Sequence, residues 1–438
     1  MELNPEILDL FPEGATADTD RGLMVGGVAL SAVADRFGTP AYVVDEAGLR
    51  ARTARFQRAL STRWPRSQVV FASKSFPCVA VYRLMAQAGV GVDVAGLGEL
   101  AAALRAGVDG KDLVLHGNAK TTTEIEMAIA AGVGLVVIDN FDDIERLERT
   151  VTGRQDVLVR VLPEVRANTY AAVATGQKGS KFGFPLDQVP RAIERIRAGS
   201  KLRLAGLHTH IGSQILDVEP FTAAVRALAD LGEFDTYDFG GGLGARYTYT
   251  DQPPEPEQWI GAITDAARRY LPASARLLIE PGRSLVARSG VSLYRVVNVK
   301  HGDRVTVAVD GGMGDNLEVA LYGQRFEATL VDRVGGGDEV DLVGRHCESG
   351  DRISSGVPLR SPRTDDLVAV PVTGAYCYTM ANNYNGALKA PVVFCVDGEA
   401  REVVRRETLA DFFARDTSAP DGPTDDVTHR GQQQEKDQ

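Results

Sequence analysis

Residues 91–139 read "GVDVAGLGELAAALRAGVDGKDLVLHGNAKTTTEIEMAIAAGVGLVVID", and this stretch decides the fold. Three short aliphatic runs, "GVDV", "LVLHG" and "LVVID", alternate with two alanine-rich stretches of helical pattern, "GELAAALRAG" and "TTTEIEMAIAAG". Short β-branched runs separated by amphipathic helices read as βα units of a parallel sheet. Working outward, the same rhythm runs through "PAYVV", "QVVFAS", "DVLVRVLP", "LAGLHTHIG", "TYDFGGG" and "RLLIEPGRS". Strand and helix recur about every 25 residues through roughly eight units, which predicts a closed (β/α)8 barrel. An open doubly wound sheet is the alternative that periodicity leaves standing.

Near residue 285 the rhythm changes. "GVSLYRVVNVKHGDRVTVAVDGG", "EATLVDRV", "EVDLVGRHC" and "PVVFCVDGEAREVVRRET" are β runs parted by turn residues. The chain therefore divides into an N-terminal segment (1–42) that adds to the β domain, a barrel (43–284), an all-β domain (285–414) and a disordered tail (415–438).

A net charge of −11 with no dominant basic patch argues against a nucleic-acid binder. No apolar run approaches the roughly 18 residues of a membrane span. The N-terminus lacks a secretory layout, and the four cysteines form no CxxC pair, so a reducing cytoplasm is expected.

Barrel enzymes carry their chemistry at the C-terminal ends of the strands. The polar residues there are Lys74, Asp93, His116 with Asn118, Arg160, His208 with His210, glycines 240–242, and Glu280 with Arg283. Each alone reads as a solvated loop residue; together, in register, they read as a site. Lys74 is either a lysine snorkelling to water or a partly desolvated amine able to form a Schiff base. "DFGGGLG" is either a tight turn or an anion cradle of backbone N–H groups. "HTHIGSQ" has HxH spacing but lacks a third ligand in matching context, so no metal is expected. One ligand accounts for the set: a pyridine ring bearing a phosphate and an aldehyde. Lys74 takes the aldehyde, Glu280 the ring nitrogen, His210 the ring face, and the glycine run with Ser213 and Arg283 the phosphate.

These residues sit in segments that resemble the alanine-racemase-type (fold type III) decarboxylases using pyridoxal 5'-phosphate, with the diaminopimelate decarboxylases as the nearest branch. "FASKSF", "GVDVAGLGEL", "HGNAKTTTEI", "TGQKGSKFGFP", "GLHTHIGSQ", "DFGGGLG", "EPGRSLV", "CESGD" and "GAYCYTMANNYN" match in order from about residue 25 to 412. The resemblance implies Lys74 as the Schiff-base lysine and His210 as the stacking residue. It implies Ser213, Gly240, Gly241, Gly242, Gly282, Arg283 and Tyr376 around the phosphate and Glu280 at the pyridinium, with Asp93 and Lys181 supporting. It further implies a homodimer in which "HCESGD" reaches the neighbouring site, Cys347 giving a proton and Glu348 touching substrate. Taken outside that motif, Cys347 reads as a buried structural cysteine.

One segment departs from the family pattern. Where an arginine and a proline usually follow the "DGGM" turn, this chain has Glu318 and Val319, with Tyr322 retained. In the diaminopimelate branch that arginine helps bind the substrate's distal carboxylate, and an acid in its place repels one. Arg283, Glu318, Tyr322, Glu348 and Tyr376 are the substrate-side candidates. The expectation is a diverged small-molecule substrate: a basic amino acid, or a conjugated one that brings in a carrier protein. The alternatives are a true meso-diaminopimelate decarboxylase, with Glu318 turned away and Arg325 or Arg345 substituting, a racemase, and a non-catalytic regulatory homologue.

Overall fold

The computed structural model describes residues 5–165 and 179–418. Eight parallel strands close a barrel: β1 (Ser67–Ala72), β2 (Gly91–Val94), β3 (Leu113–Leu115), β4 (Leu135–Ile138), β5 (Gln155–Leu162), β6 (Leu202–His208), β7 (Thr236–Asp238) and β8 (Arg276–Ile279). Each pairs with the next, and β8 pairs back onto β1 through Leu277↔Ser67, so no edge is left open. Among the described residues, seven crossover helices and the helix Glu46–Arg63, which precedes β1, lie outside the strands.

The closed ring explains the strand composition. Both faces are dry, so each run is almost continuously apolar rather than alternating. Alternation survives as direction. Val70, Val114, Val137, Leu158 and Leu278 form one inward-facing layer that fills the barrel. Two residues further along those strands, on the same face, stand Ala72, His116, Asp139, Arg160 and Glu280. The barrel floor is thus aliphatic and its C-terminal mouth polar. Gly206 lets β6 approach β7: a Cβ there would lie 1.7 Å from the Thr236 carbonyl oxygen.

"PAYVV" does not open the barrel. Ala41–Asp45 lies in the other sheet, antiparallel to Gly290–Lys300 and parallel to Val392–Val396. The barrel begins with the helix Glu46–Arg63, so the strand of the expected 43–284 unit belongs to the β domain. The remaining strands of that sheet are Val305–Val309, Thr329–Leu330, Asp338–Val343, Arg352–Leu359, Leu367–Pro371 and Glu399–Val404. Upstream, Thr16–Asp18, Gly22–Val25 and Val28–Ala29 make a small antiparallel sheet of their own. Its Leu23 and Val25 pack with Val43, Val291, Leu293 and Cys395, covering one face of the β domain. Most of the expected tail, residues 419–438, lies outside the described residues, as does the first part of "TGQKGSKFGFP".

Candidate active site

A cavity of about 300 Å³ opens at the C-terminal ends of the barrel strands. It is lined by Lys74, Asp93, His116, Asn118, Arg160, His208, His210, Gly241 and Glu280, the residues picked from strand ends, together with Phe182 and small residues. Lys74 sits on a single 3-10 turn, Ser73–Ser75, directly after β1, and is exposed toward the cavity rather than desolvated. The Asp93 carboxylate accepts from the Ser73 N–H at 2.8 Å, fixing that turn. Burial, with the Glu280 charge adding to it, lifts the Asp93 carboxyl to about 7 against the pull of His116 and Lys74.

Glu280 directly follows β8 and stands between two imidazoles. His208 Nε2 lies 3.3 Å from its Oε2, and His116 Nε2 lies 2.7 Å from its Oε1 but off the line of a hydrogen bond. Burial works against the anion, yet the two imidazoles outweigh it and hold the Glu280 carboxyl well below its usual range. Burial also pushes His208 down to about 4, so this imidazole is neutral at physiological pH. His210 is driven the same way by burial, then by Lys74 and Arg160. Its Nδ1 accepts from the Gly241 N–H at 3.2 Å, which leaves the ring proton on Nε2.

His116, His208 and Glu280 bring three donor atoms within 4.8 Å of one another, a grouping that the HxH spacing did not predict, since His210 is not part of it. The grouping has a simpler cause: the imidazoles flank the acid as neighbours, with the Arg160 guanidinium close by to oppose a second cation.

The glycine run is shaped by close approach. A Cβ on Gly240 would meet the Thr209 oxygen at 2.6 Å, and one on Gly241 the Glu280 carbonyl oxygen at 2.2 Å. At Gly242, with φ of +114°, it would meet the Gly212 oxygen at 2.6 Å. A Cβ on Gly282 would lie 2.9 Å from the Ala72 Cβ. Arg283 follows it, buried, with Nε donating to Ser213 Oγ at 3.2 Å and its guanidinium 4.5 Å from the Tyr376 ring centre. Tyr376 comes from the β domain. It holds a left-handed φ of 65°, fixed by its N–H donating to the Ser75 carbonyl at 2.8 Å.

Glu318 lies outside the cavity lining. It is buried, its Oε1 accepts from Arg283 Nη1 at 2.9 Å, and the Tyr247 hydroxyl lies 3.4 Å from its Oε2. Tyr247 also accepts from the same Arg283 nitrogen. Burial raises the Glu318 carboxyl above its usual range against the guanidinium's pull, while Arg283 keeps its charge. Tyr322 ends the short helix Glu318–Tyr322 and is half-buried.

Cys347 and Glu348 lie elsewhere. Both are exposed on a β-domain loop outside the cavity lining, with the Cys347 N–H donating to Asn385 Oδ1 at 2.8 Å. The bland reading of Cys347 as a buried thiol is therefore wrong. Lys181 stands over the Phe182 ring at 5.0 Å, and Arg160 over the same ring at 4.4 Å.

Three contributors escaped the sequence reading. Asp139 directly follows β4 and Asp238 ends β7, so the rule of polar strand ends could have found them. Tyr247 carries no local signal, because its importance comes from Arg283 and Glu318, which are distant in sequence.

An exposed lysine, an ionised buried acid on the cavity wall, and a backbone cradle too tight for any Cβ fit a phosphorylated pyridine aldehyde. The family comparison decides the matter. Residues 46–287 match the model of the pyridoxal-dependent decarboxylases, pyridoxal binding domain.

The chain belongs to the pyridoxal-dependent decarboxylases.

It is 45% identical over 425 residues to the diaminopimelate decarboxylase of Actinosynnema pretiosum subsp. auranticum, covering 93% of this chain and 95% of that protein. It is 41% identical over 430 residues to that of Bacillus subtilis, covering 93% and 98%. Among solved structures, diaminopimelate decarboxylase from M. jannaschii superposes with a TM-score of 0.87 at 29% identity, covering 93% of this chain and 99% of that one. This pyridoxal-dependent decarboxylase is a carboxy-lyase with the barrel-plus-β-domain architecture. Among its described residues, no helix is long and apolar enough to cross a membrane.

Proposed function

We propose that the chain removes the carboxylate at one α-carbon of meso-diaminopimelate to give L-lysine. The observation that carries this reading is end-to-end similarity to diaminopimelate decarboxylases at 37–45% identity. The sequence reading favoured a diverged or carrier-linked substrate because of Glu318, and the relatives give that no support. Its physical premise also weakens. Glu318 is compensated by Arg283 and Tyr247 rather than facing a substrate as a bare anion.

When bound, pyridoxal phosphate supplies the electron sink for the pair left by loss of CO2. Lys74 is the amine that anchors it. Glu280, kept ionised by His116 and His208, would take the ring nitrogen and favour its protonated form. His210 supports the ring face, with its orientation set by Gly241. Ser213, Gly240 to Gly242, Gly282 and Tyr376 hold the phosphate, and Arg283 braces Ser213 and Tyr376. Asp93 and Lys181 act from behind as positioning residues. On the substrate side stand Arg283, Glu318, Tyr322 and Tyr376. Cys347 and Glu348 are exposed and away from their own cavity, so they complete the site of a second copy: Glu348 binds substrate and the Cys347 thiol delivers the proton to the α-carbon. A homodimer with two composite sites follows.

A CO2-release panel tests the substrate: meso-diaminopimelate, both enantiomers of lysine, ornithine and arginine, and acylated or carrier-linked amino acids. Diaminopimelate should give the highest kcat/KM. Preference for a basic or conjugated amino acid would overturn the assignment.

A further inference from the structure

Asp238 is the last residue of β7 and is fully buried. It pairs in register with Leu278 of β8, a member of the inward-facing layer, so its side chain also points into the barrel. Glu280 follows Leu278 by two residues and shares that face. Gly240 ties the two acids together: its N–H donates to Asp238 Oδ1 at 2.9 Å, and its carbonyl accepts from the Glu280 N–H at 2.7 Å. The two acids thus stand on neighbouring strands of one inward face, near enough to repel each other, and among the described residues no N–H or O–H donor reaches Asp238 Oδ2.

The charges around this pair do not balance if every acid is ionised. Asp93, Asp139, Asp238 and Glu280 share the dry end of the barrel with one buried guanidinium, Arg160, and the His116 imidazole, while the His208 and His210 imidazoles are neutral, so four acids face at most two cations. Like charges this close in a poorly hydrated space force a proton onto one of them. Glu280 has two imidazoles beside it. Asp93 has the Ser73 N–H, with His116 and Lys74 nearby. Asp238 has a single N–H and a carboxylate opposite, which makes it the cheapest place for the proton.

We propose that Asp238 is a neutral carboxylic acid whose Oδ2–H donates to Glu280, a positioning residue that keeps Glu280 ionised and aimed at the ring nitrogen. Burial first, and then the Glu280 charge, pushes the Asp238 carboxyl well above its ordinary range, in keeping with this division. The inference rests on the contact between Glu280 and the ring proposed above.

Infrared difference spectra of wild type minus Asp238→Asn, on holoenzyme and on cofactor-free protein at neutral pH, test it directly. They should show the carbonyl band of a protonated carboxylic acid, shifted in D2O. Pyridoxal phosphate binding gives a second readout. Asp238→Ala should bind about ten- to a hundredfold more weakly, the effect of losing a hydrogen bond to a charged group. Asp238→Asn, which still offers an N–H, should restore most of that affinity. Absence of the acid band, or an asparagine variant as weak as the alanine one, overturns the proposal. If Asp238→Ala does not fold, the band and the asparagine variant still decide. Unchanged cofactor affinity in Glu280→Ala would instead refute the Glu280–ring contact, which the band in cofactor-free protein does not depend on.

Discussion

Removing the Glu318 carboxylate should destabilise the protein far more than an ordinary surface acid would. The side chains of Arg283 and Glu318 are 6% and 1% exposed, and their charged atoms stand 2.9 Å apart. At an effective dielectric of about 20, that separation corresponds to about 6 kcal/mol of Coulomb attraction. Desolvation of both groups offsets much of it in the intact pair, but Glu318→Ala removes the attraction and leaves the guanidinium buried. Tyr247 and Ser213 remain as acceptors for Arg283, so the expected loss is that of a broken buried pair, about 3–5 kcal/mol. Equilibrium urea unfolding of cofactor-free protein at fixed concentration measures it. Glu318→Leu combined with Arg283→Met should cost much less than Glu318→Ala, because neither charge then has to be buried. A loss below about 1 kcal/mol for Glu318→Ala, the range of an exposed pair, would refute the reasoning.

Three further outcomes are expected. The His208 imidazole titrates near 4 when folded and near 6.5 when unfolded, so its contribution is complete above 6.5 and is lost as pH falls toward 4. The stability difference between wild type and His208→Gln should therefore shrink by about 3 kcal/mol across that window in a pH series of unfolding curves. Asp93, raised to about 7, acts with the opposite sign in both proteins and cancels in the difference. Gly241→Ala places a methyl 2.2 Å from the Glu280 carbonyl oxygen, so the cradle must open; pyridoxal phosphate titration should show the affinity largely lost while circular dichroism keeps the barrel signal. Mixing inactive Lys74→Ala with inactive Cys347→Ala should restore about a quarter of wild-type activity if sites are composite, since half the dimers are mixed and each has one intact site. No recovery would place both residues in one subunit's site.

Much of this was legible because a barrel strand repeats every two residues and its C-terminal end faces the mouth. Once 91–139 is read as βα units, Lys74, Asp93, His116, Arg160, His208 and Glu280 follow as strand-end residues, and the structure places all six on one cavity. The glycine run was legible for a similar reason, since three glycines after a strand have few other uses. The "PAYVV" run misled because five apolar residues look the same whichever sheet buries them. Ala41–Asp45 is sealed on both faces in the β domain as thoroughly as any barrel strand.

By itself, then, the sequence determined the βα repeat, the parallel sheet and the inventory of reactive side chains, because these depend on local periodicity, while the pairing of β8 back onto β1 closed the barrel. Tertiary structure decided what those side chains meet. It gave Glu318 to Arg283, 35 residues away, and set Asp238 against Glu280 across two strands. It also left Cys347 outside its own cavity. Charge state, burial and partnership depend on distances through space, and no spacing along the chain encodes them.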